Sequence, residues 1–224
     1  ATIYRAFPSV VFAKASAGIA GAADLEGRKI GIPGRYGSSW VMLQALLGSA
    51  GLTPDDVEIV EYPDFGQAAA VQQGAVDAAT GFVNNEPVQL ELNGIPTTIL
   101  QVDGIVPLPG PGLISGKATI PGKQVAITAF VRATLRAMGE IAADPSKGLD
   151  AAIAVVPDLG KDRDTQAAIL DATIAAWQGS GTGGAALGSI DRAGWSASIE
   201  FMTSLGVVPN PVKVEDLTLE GQLP

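Results

Sequence analysis

The stretch Arg28-Lys29-Ile30-Gly31-Ile32-Pro33-Gly34-Arg35-Tyr36-Gly37-Ser38-Ser39-Trp40 decides the fold. Its first five residues read as a buried strand, Pro33-Gly34 close it, and Ser38 or Ser39 suits a helix N-cap. The helix that follows carries Val41, Leu43, Leu46 and Leu47 and stops at Gly48 or Gly51. The alternation then repeats down the chain. Val57-Glu58-Ile59-Val60 reads as a second strand, Gln67 to Gln73 as a short helix ended by Gly74, and 76–83 as a third strand. Residues 86–93 follow as a helix and 97–102 as a fourth strand. Strands and helices of this length in alternation predict βαβ units and a largely parallel sheet.

After Asp103 the pattern changes. Pro107-Leu108-Pro109-Gly110-Pro111-Gly112 is a rigid turn segment, and Leu113 to Ser115 is the one further strand candidate. The rest predicts helices. Ile127, Phe130, Val131, Leu135, Met138 and Ile141 form one stripe, ended by Asp144-Pro145, and 149–156 is a shorter helix. Ile169 or Leu170, Ile174 and Trp177 mark a third, which the glycines of 179–184 terminate. Trp195, Ile199, Met202 and Leu205 mark a fourth. Trp177 and Trp195 read as core, because both lie on helical stripes. Asp55-Asp56 and Asp162 to Asp164 read as solvated turns and caps.

Composition narrows the chemistry. The chain has 224 residues, with 14 Lys or Arg against 23 Asp or Glu, a formal charge of −9. At 47% apolar and 17% charged it is not a disordered sequence. It contains no His and no Cys, which excludes Ser-His-Asp and Cys-His triads, disulfides and every His- or Cys-ligated metal site. No catalytic residues, metal ligands or cofactor are assigned. A pI near 4.4 argues against a nucleic-acid surface, which needs clustered cations. No segment holds the roughly 20 apolar residues that span a bilayer, and the numbered chain shows no leader at Ala1. Composition leaves the compartment open.

Three loops that follow strands carry the candidate ligand-binding residues. The first holds Arg35, Tyr36, Ser38, Ser39 and Trp40. It reads as a plain strand–helix turn, or as a loop whose helix N–H groups hold an anion or a carbonyl. The second holds Tyr62, Asp64 and Phe65, with Asp64 read first as a helix cap. The third holds Phe82, Asn84, Asn85 and Glu86, either as an N-cap with Glu86 and Pro87 in the first turn, or as polar ligand contacts. Open α/β sheets bind ligands at such strand ends. Pro109 to Gly112 reads as a crossing between lobes.

Several segments in order resemble one family of substrate-binding proteins. They are Asp24-Leu25-Glu26-Gly27-Arg28-Lys29-Ile30-Gly31-Ile32, Gly74-Ala75-Val76-Asp77-Ala78, Gly81-Phe82-Val83-Asn84-Asn85-Glu86-Pro87 and Phe201-Met202-Thr203-Ser204-Leu205-Gly206-Val207. The family includes thiamine-pyrimidine-precursor synthases and the binding proteins of alkanesulfonate, taurine and riboflavin-type importers. The resemblance implies an α/β, two-lobed, hinged fold of the periplasmic-binding-protein type (type II), closing on a small molecule and delivering it to an ABC-type membrane permease outside the cytoplasm. It implies that residues 15–102 form lobe two nearly whole, and that 1–14 and 103–224 form the later part of lobe one. Lobe one is then incomplete: its first strands precede Ala1 in the family. Hinges are expected at 102–112 and 12–14, and the apolar stripes after 103 are expected to lack cover from a further N-terminal segment, a second copy or another chain.

The mixture of Tyr36, Trp40, Tyr62, Phe65 and Phe82 with Asn84, Asn85 and Glu86 points to a flat heteroaromatic ligand, riboflavin first and a thiamine-type pyrimidine next. An alkanesulfonate or taurine binder of the same family is the alternative, yet only Arg35 offers a cation in these loops. A pyrimidine-precursor synthase is the enzyme rival, disfavoured because that resemblance looks to a His and a Cys-rich segment. A ligand-binding sensor domain is the third class. Without His or Cys, and the α-amino group near 8 aside, ligand affinity is expected to be nearly flat between about pH 6 and 8.

Overall fold

The computed structural model describes residues 1–103, 105–179, 186–210 and 212–218. The chain divides into two compact units, Phe7–Leu108, and Ala1–Ala6 with Pro109–Pro224.

The first of these is built on one five-stranded sheet. Its strands are β1 (Ser9–Lys14), β2 (Lys29–Ile32), β3 (Glu58–Glu61), β4 (Ala78–Phe82) and β5 (Thr97–Gln101). Helices α1 (Gly37–Ser49), α2 (Gln67–Gln73) and α3 (Glu86–Leu92) connect them. The strand order is β3-β2-β4-β1-β5, with β2 parallel to both β3 and β4. The expectation of a largely parallel sheet needs correction: β1 lies antiparallel between β4 and β5, so the sheet is mixed. Val10, Val11, Phe12 and Ala13 are wholly buried, as a strand paired on both edges and covered on both faces requires.

The same pairing moves the expected boundary. Residues 7–14 belong with the sheet and not with the helical part, because β1 takes ladder hydrogen bonds from β4 and β5 along its whole length. Residues 103–108 go with it too; the Asp103 carboxylate accepts the Phe7 N–H at 3.0 Å.

Alternation along β1 sorts the helices onto faces. Phe12 packs with Ala70 and Val71 of α2 and Leu90 of α3, whereas Ser9, on the opposite face, donates to the Ser38 hydroxyl of α1 at 3.2 Å. So α1 covers one face, burying Met42, Leu43, Leu46 and Leu47, and α2 with α3 covers the other. Val41, expected in the apolar stripe, is only half-buried; Met42 takes its place.

The second unit is helical, with α4 (Ile120–Ala143), α5 (Pro145–Val155), α6 (Arg163–Gln178), α7 (Arg192–Ser204) and α8 (Val214–Leu217). Residues 1–4 run beside 109–113: the Ile3 and Tyr4 N–H groups donate to the Pro111 carbonyl at 3.0 Å. The expected strand at 113–115 does not form. Leu113 turns toward Val131, Leu135 and Met138, Ile114 is exposed, and only a bridge from Thr2 to Gly112 remains. Trp177 packs against that same cluster. Of the 24 residues of α4, only Val131, Leu135 and Met138 are buried, while Val125 and Phe130 are exposed. Trp195, Ile199, Met202 and Leu205 are half-buried. Asp162 and Asp191 cap α6 and α7 through the Thr165 and Gly194 N–H groups. Most of the glycine-rich terminator expected after α6, residues 180–184, lies outside the described residues.

Candidate ligand-binding site

β2, β3 and β4 run parallel, so the loops that follow them, 33–36, 62–66 and 83–85, emerge at one edge of the sheet. β1 and β5 bring Ser9 and Asp103 to the same edge, since Ser9 pairs with Phe82 and Val10 with Gln101. Within this edge, adjacent strands β2 and β4 send their connections to opposite faces, to α1 and to α3 respectively. Open α/β sheets take ligands where neighbouring connections diverge in this way.

Three aromatic rings stand exposed along this edge, Tyr36 at 61% in the loop after β2, Phe65 at 65% in the loop after β3 and Phe82 at 37% as the last residue of β4. Two are held in defined poses. The Tyr36 ring lies over Gly34, where a Cβ would collide with its Cδ1 and Cε1 atoms, so only glycine lets the ring fold back. Phe65 has φ 60°, and among the described residues it is the one non-glycine in the left-handed region. That conformation is costly for a bulky side chain and tends to persist at functional sites. Asp64 supports it, its carboxylate accepting the Gly66 N–H at 3.3 Å in a short turn. Asp64 therefore closes the loop, and Gly66 itself is the N-cap of α2.

The remaining candidates divide. Ser38 and Ser39 do not cap α1, which begins at Gly37 with Tyr36 as an extended N-cap lacking a side-chain cap bond. The reason is the bond from Ser9, which fixes Ser38 against β1; Ser39 is buried. Trp40 is half-buried under the Arg35 guanidinium, 5.3 Å from the ring centre, a cation–π contact. Arg35 is also paired with Glu61, Nε to Oε1 at 3.5 Å. Tyr62 packs against the Phe12 cluster on the α2 and α3 face.

At the third loop, Asn85 holds the N-cap position, but its side-chain oxygen accepts from Gln89 Nε2 at 2.6 Å and caps no backbone group. Glu86 is 9% exposed, and its carboxylate accepts the Phe82 N–H at 2.8 Å. Gly81 makes that approach feasible, because a Cβ there would meet Glu86 Oε2 and Phe12 Cε1, each at 2.7 Å. Glu86 thus fixes the backbone that presents Phe82. Asn84 is half-buried.

Sequence reasoning passed over Ser9, Glu61 and Asp103. Glu61 ends a strand whose Val-Glu-Ile-Val-Glu pattern already explains it. Ser9 and Asp103 reach the edge only through the antiparallel placement of β1. Burial pushes the Asp103 carboxyl above its ordinary range, and the Phe7 N–H partly offsets this. Among the described residues no group of three or more Asp or Glu is arranged to hold a metal ion.

Residues 1–148 match the family model described as NMT1/THI5 like. The chain belongs to the NMT1/THI5-like family. It is 35% identical over 216 residues to the riboflavin-binding protein RibY of Chloroflexus aurantiacus, covering 96% of this chain and 61% of that protein. The chain thus spans less than two thirds of this curated relative's length. Its fold is similar to the alkanesulfonate-binding protein SsuA from Xanthomonas axonopodis pv. citri bound to MOPS, with a TM-score of 0.63 at 17% identity, covering 96% of this chain and 72% of that one. The periplasmic aliphatic sulphonate binding protein SsuA from Escherichia coli gives 0.60 at 17% over the same shares. At that identity these two likenesses concern the fold, which is of the periplasmic-binding-protein type.

Proposed function

We propose that this chain is the solute-binding component of an ABC-type importer and captures riboflavin at the edge formed by loops 33–36, 62–66 and 83–85. The observation that carries the ligand is the set of exposed rings Tyr36, Phe65 and Phe82 at the ends of β2, β3 and β4. Aromatic pairs contribute about 0.5–1.5 kcal/mol each beyond area burial, so such an edge favours a planar heteroaromatic molecule over an aliphatic one. Asn84 and Asn85, in the loop after Phe82, are amides of the type that pairs with flavin carbonyls and ring N–H. The name of RibY agrees with this reading.

Binding without catalysis is the expected role. The 224 residues hold no His or Cys, and the carboxylate at the edge with the firmest geometry, Glu86, is occupied by a backbone N–H. Work outside the cytoplasm with a membrane permease follows from the same family reading, and no described helix is long and apolar enough to cross a membrane. Titration of riboflavin with the chain, read by quenching of flavin fluorescence, tests the ligand. Saturable quenching with flavin recovered chemically unchanged by native mass spectrometry supports the proposal. An absence of quenching at high micromolar protein, with tight binding of taurine or an alkanesulfonate, overturns it.

A further inference from the structure

We infer that Glu61 sets the charge class of the ligand, by holding the Arg35 guanidinium in an ion pair and so barring anions from the edge. The inference rests on the reading of that edge as the ligand site and deepens it. Arg35 is the only Lys or Arg in the loops 33–36, 62–66 and 83–85. Its Nε lies 3.5 Å from Glu61 Oε1, and its guanidinium carbon lies 5.3 Å from the Trp40 ring centre. Glu61 is the last residue of β3 and pairs across the ladder with Ile32, the last residue of β2, so strand register delivers it to Arg35.

The consequence is electrostatic. A sulfonate or phosphate needs an uncompensated cation, and here the Arg35 Nε faces the Glu61 carboxylate while its guanidinium lies over the Trp40 indole, so its charge is already offset. Asp64, Glu86 and Asp103 add carboxyl groups to the same edge without any further cation from these loops. An uncharged planar ligand pays nothing for that arrangement, whereas an anion is repelled. Removing one negative charge about 8 Å from a doubly charged ligand phosphate, at the dielectric constant of about 80 that suits a half-exposed pair, changes affinity about fivefold. The change is screened as salt rises.

The experiment compares riboflavin with riboflavin 5′-phosphate on the wild-type chain, on Glu61→Gln and on Glu61→Gln with Arg35→Gln. Both probes are followed by flavin fluorescence at low and at high ionic strength. The wild type is expected to favour riboflavin. Glu61→Gln is expected to gain about fivefold for the phosphate at low salt, with riboflavin affinity held within twofold, and the double variant to lose that gain. The pair is half-exposed, so thermal melts of both variants should stay at the wild-type value. An unchanged ratio in Glu61→Gln, or wild-type binding of the phosphate as tight as that of riboflavin, overturns the role of Glu61 while leaving the riboflavin reading intact. Wild-type binding of neither flavin overturns the riboflavin reading and this inference with it.

Discussion

Phe65 gives the sharpest test, because its backbone and its ring make separate predictions. At φ 60° a residue with a Cβ sits in the left-handed region at a cost of about 1–2 kcal/mol, which glycine avoids. Glycine loses about 0.5–1 kcal/mol more than alanine in chain entropy on ordering. The difference predicts that Phe65→Gly is more stable than Phe65→Ala by about 0.5–1 kcal/mol. Both variants delete the same ring, so its contacts cancel in that comparison. The ring is 65% exposed, which leaves little apolar burial to lose in either case.

Ligand affinity should behave differently. If the ring stacks on the flavin, both variants lose about 0.5–1.5 kcal/mol, or roughly twofold to tenfold in Kd, whichever residue replaces it. Urea denaturation at fixed pH reads the first quantity and flavin quenching the second. Wild-type affinity in Phe65→Ala refutes the placement of this ring at the ligand. Equal stability of the alanine and glycine variants refutes the claim that the loop is strained. Stability that differs while affinity does not is the signature of a residue retained for its ring against its backbone preference.

Three further outcomes follow from the same edge. Asp103 has its carboxyl raised by burial, so its contribution to stability is fully present below the ordinary carboxylate value near 3.9 and is lost as pH rises through the raised folded-state value. Asp103→Asn keeps an acceptor for the Phe7 N–H and removes the buried charge; denaturant midpoints from pH 3 to 7 should show the variant gaining on wild type as pH rises. Gly34→Ala should displace the exposed Tyr36 ring at a stability cost below about 1 kcal/mol, yet weaken flavin binding about twofold to tenfold by quenching titration. Riboflavin affinity should stay flat from about pH 6 to 8, since the 224 residues hold no His or Cys; a tenfold change by the same titration would place a perturbed carboxyl at the ligand.

Local signals carried the helices and the parallel strands. α2 runs from Gln67 to Gln73, as Gly66 and Gly74 bracket it, and α3 starts at Glu86-Pro87, where proline belongs in a first turn. What local signals lacked was partner choice. The apolar run of β1 reads equally well at an edge or a centre, in either direction; only pairing with two strands about 70 and 90 residues onward makes it antiparallel and central. That one placement shifted the unit boundary, brought Ser9 to Ser38 in place of a helix cap, and put Asp103 beside Phe7. The glycine–aromatic loops stand out in the sequence because their residues suit neither caps nor core. Tyr62 and Trp40 share that chemistry, and nothing short of the packing tells that one joins the Phe12 cluster and the other lies under Arg35.

The loops after β2, β3 and β4 share a feature that packing alone does not account for. α1 opens on Tyr36, an N-cap without a side-chain bond, where Ser or Asp would add about 1 kcal/mol. The next loop sets a phenylalanine in a glycine conformation. The third spends a nearly buried glutamate on the N–H of Phe82, whose ring stays exposed. Each departure costs folding free energy, and each holds an aromatic side chain out of the core at the end of a parallel strand. A chain optimised only for stability would bury those rings or replace them with polar residues. Together they supply what a stacking site requires: flat apolar faces, kept in solvent and held by the backbone before any ligand arrives.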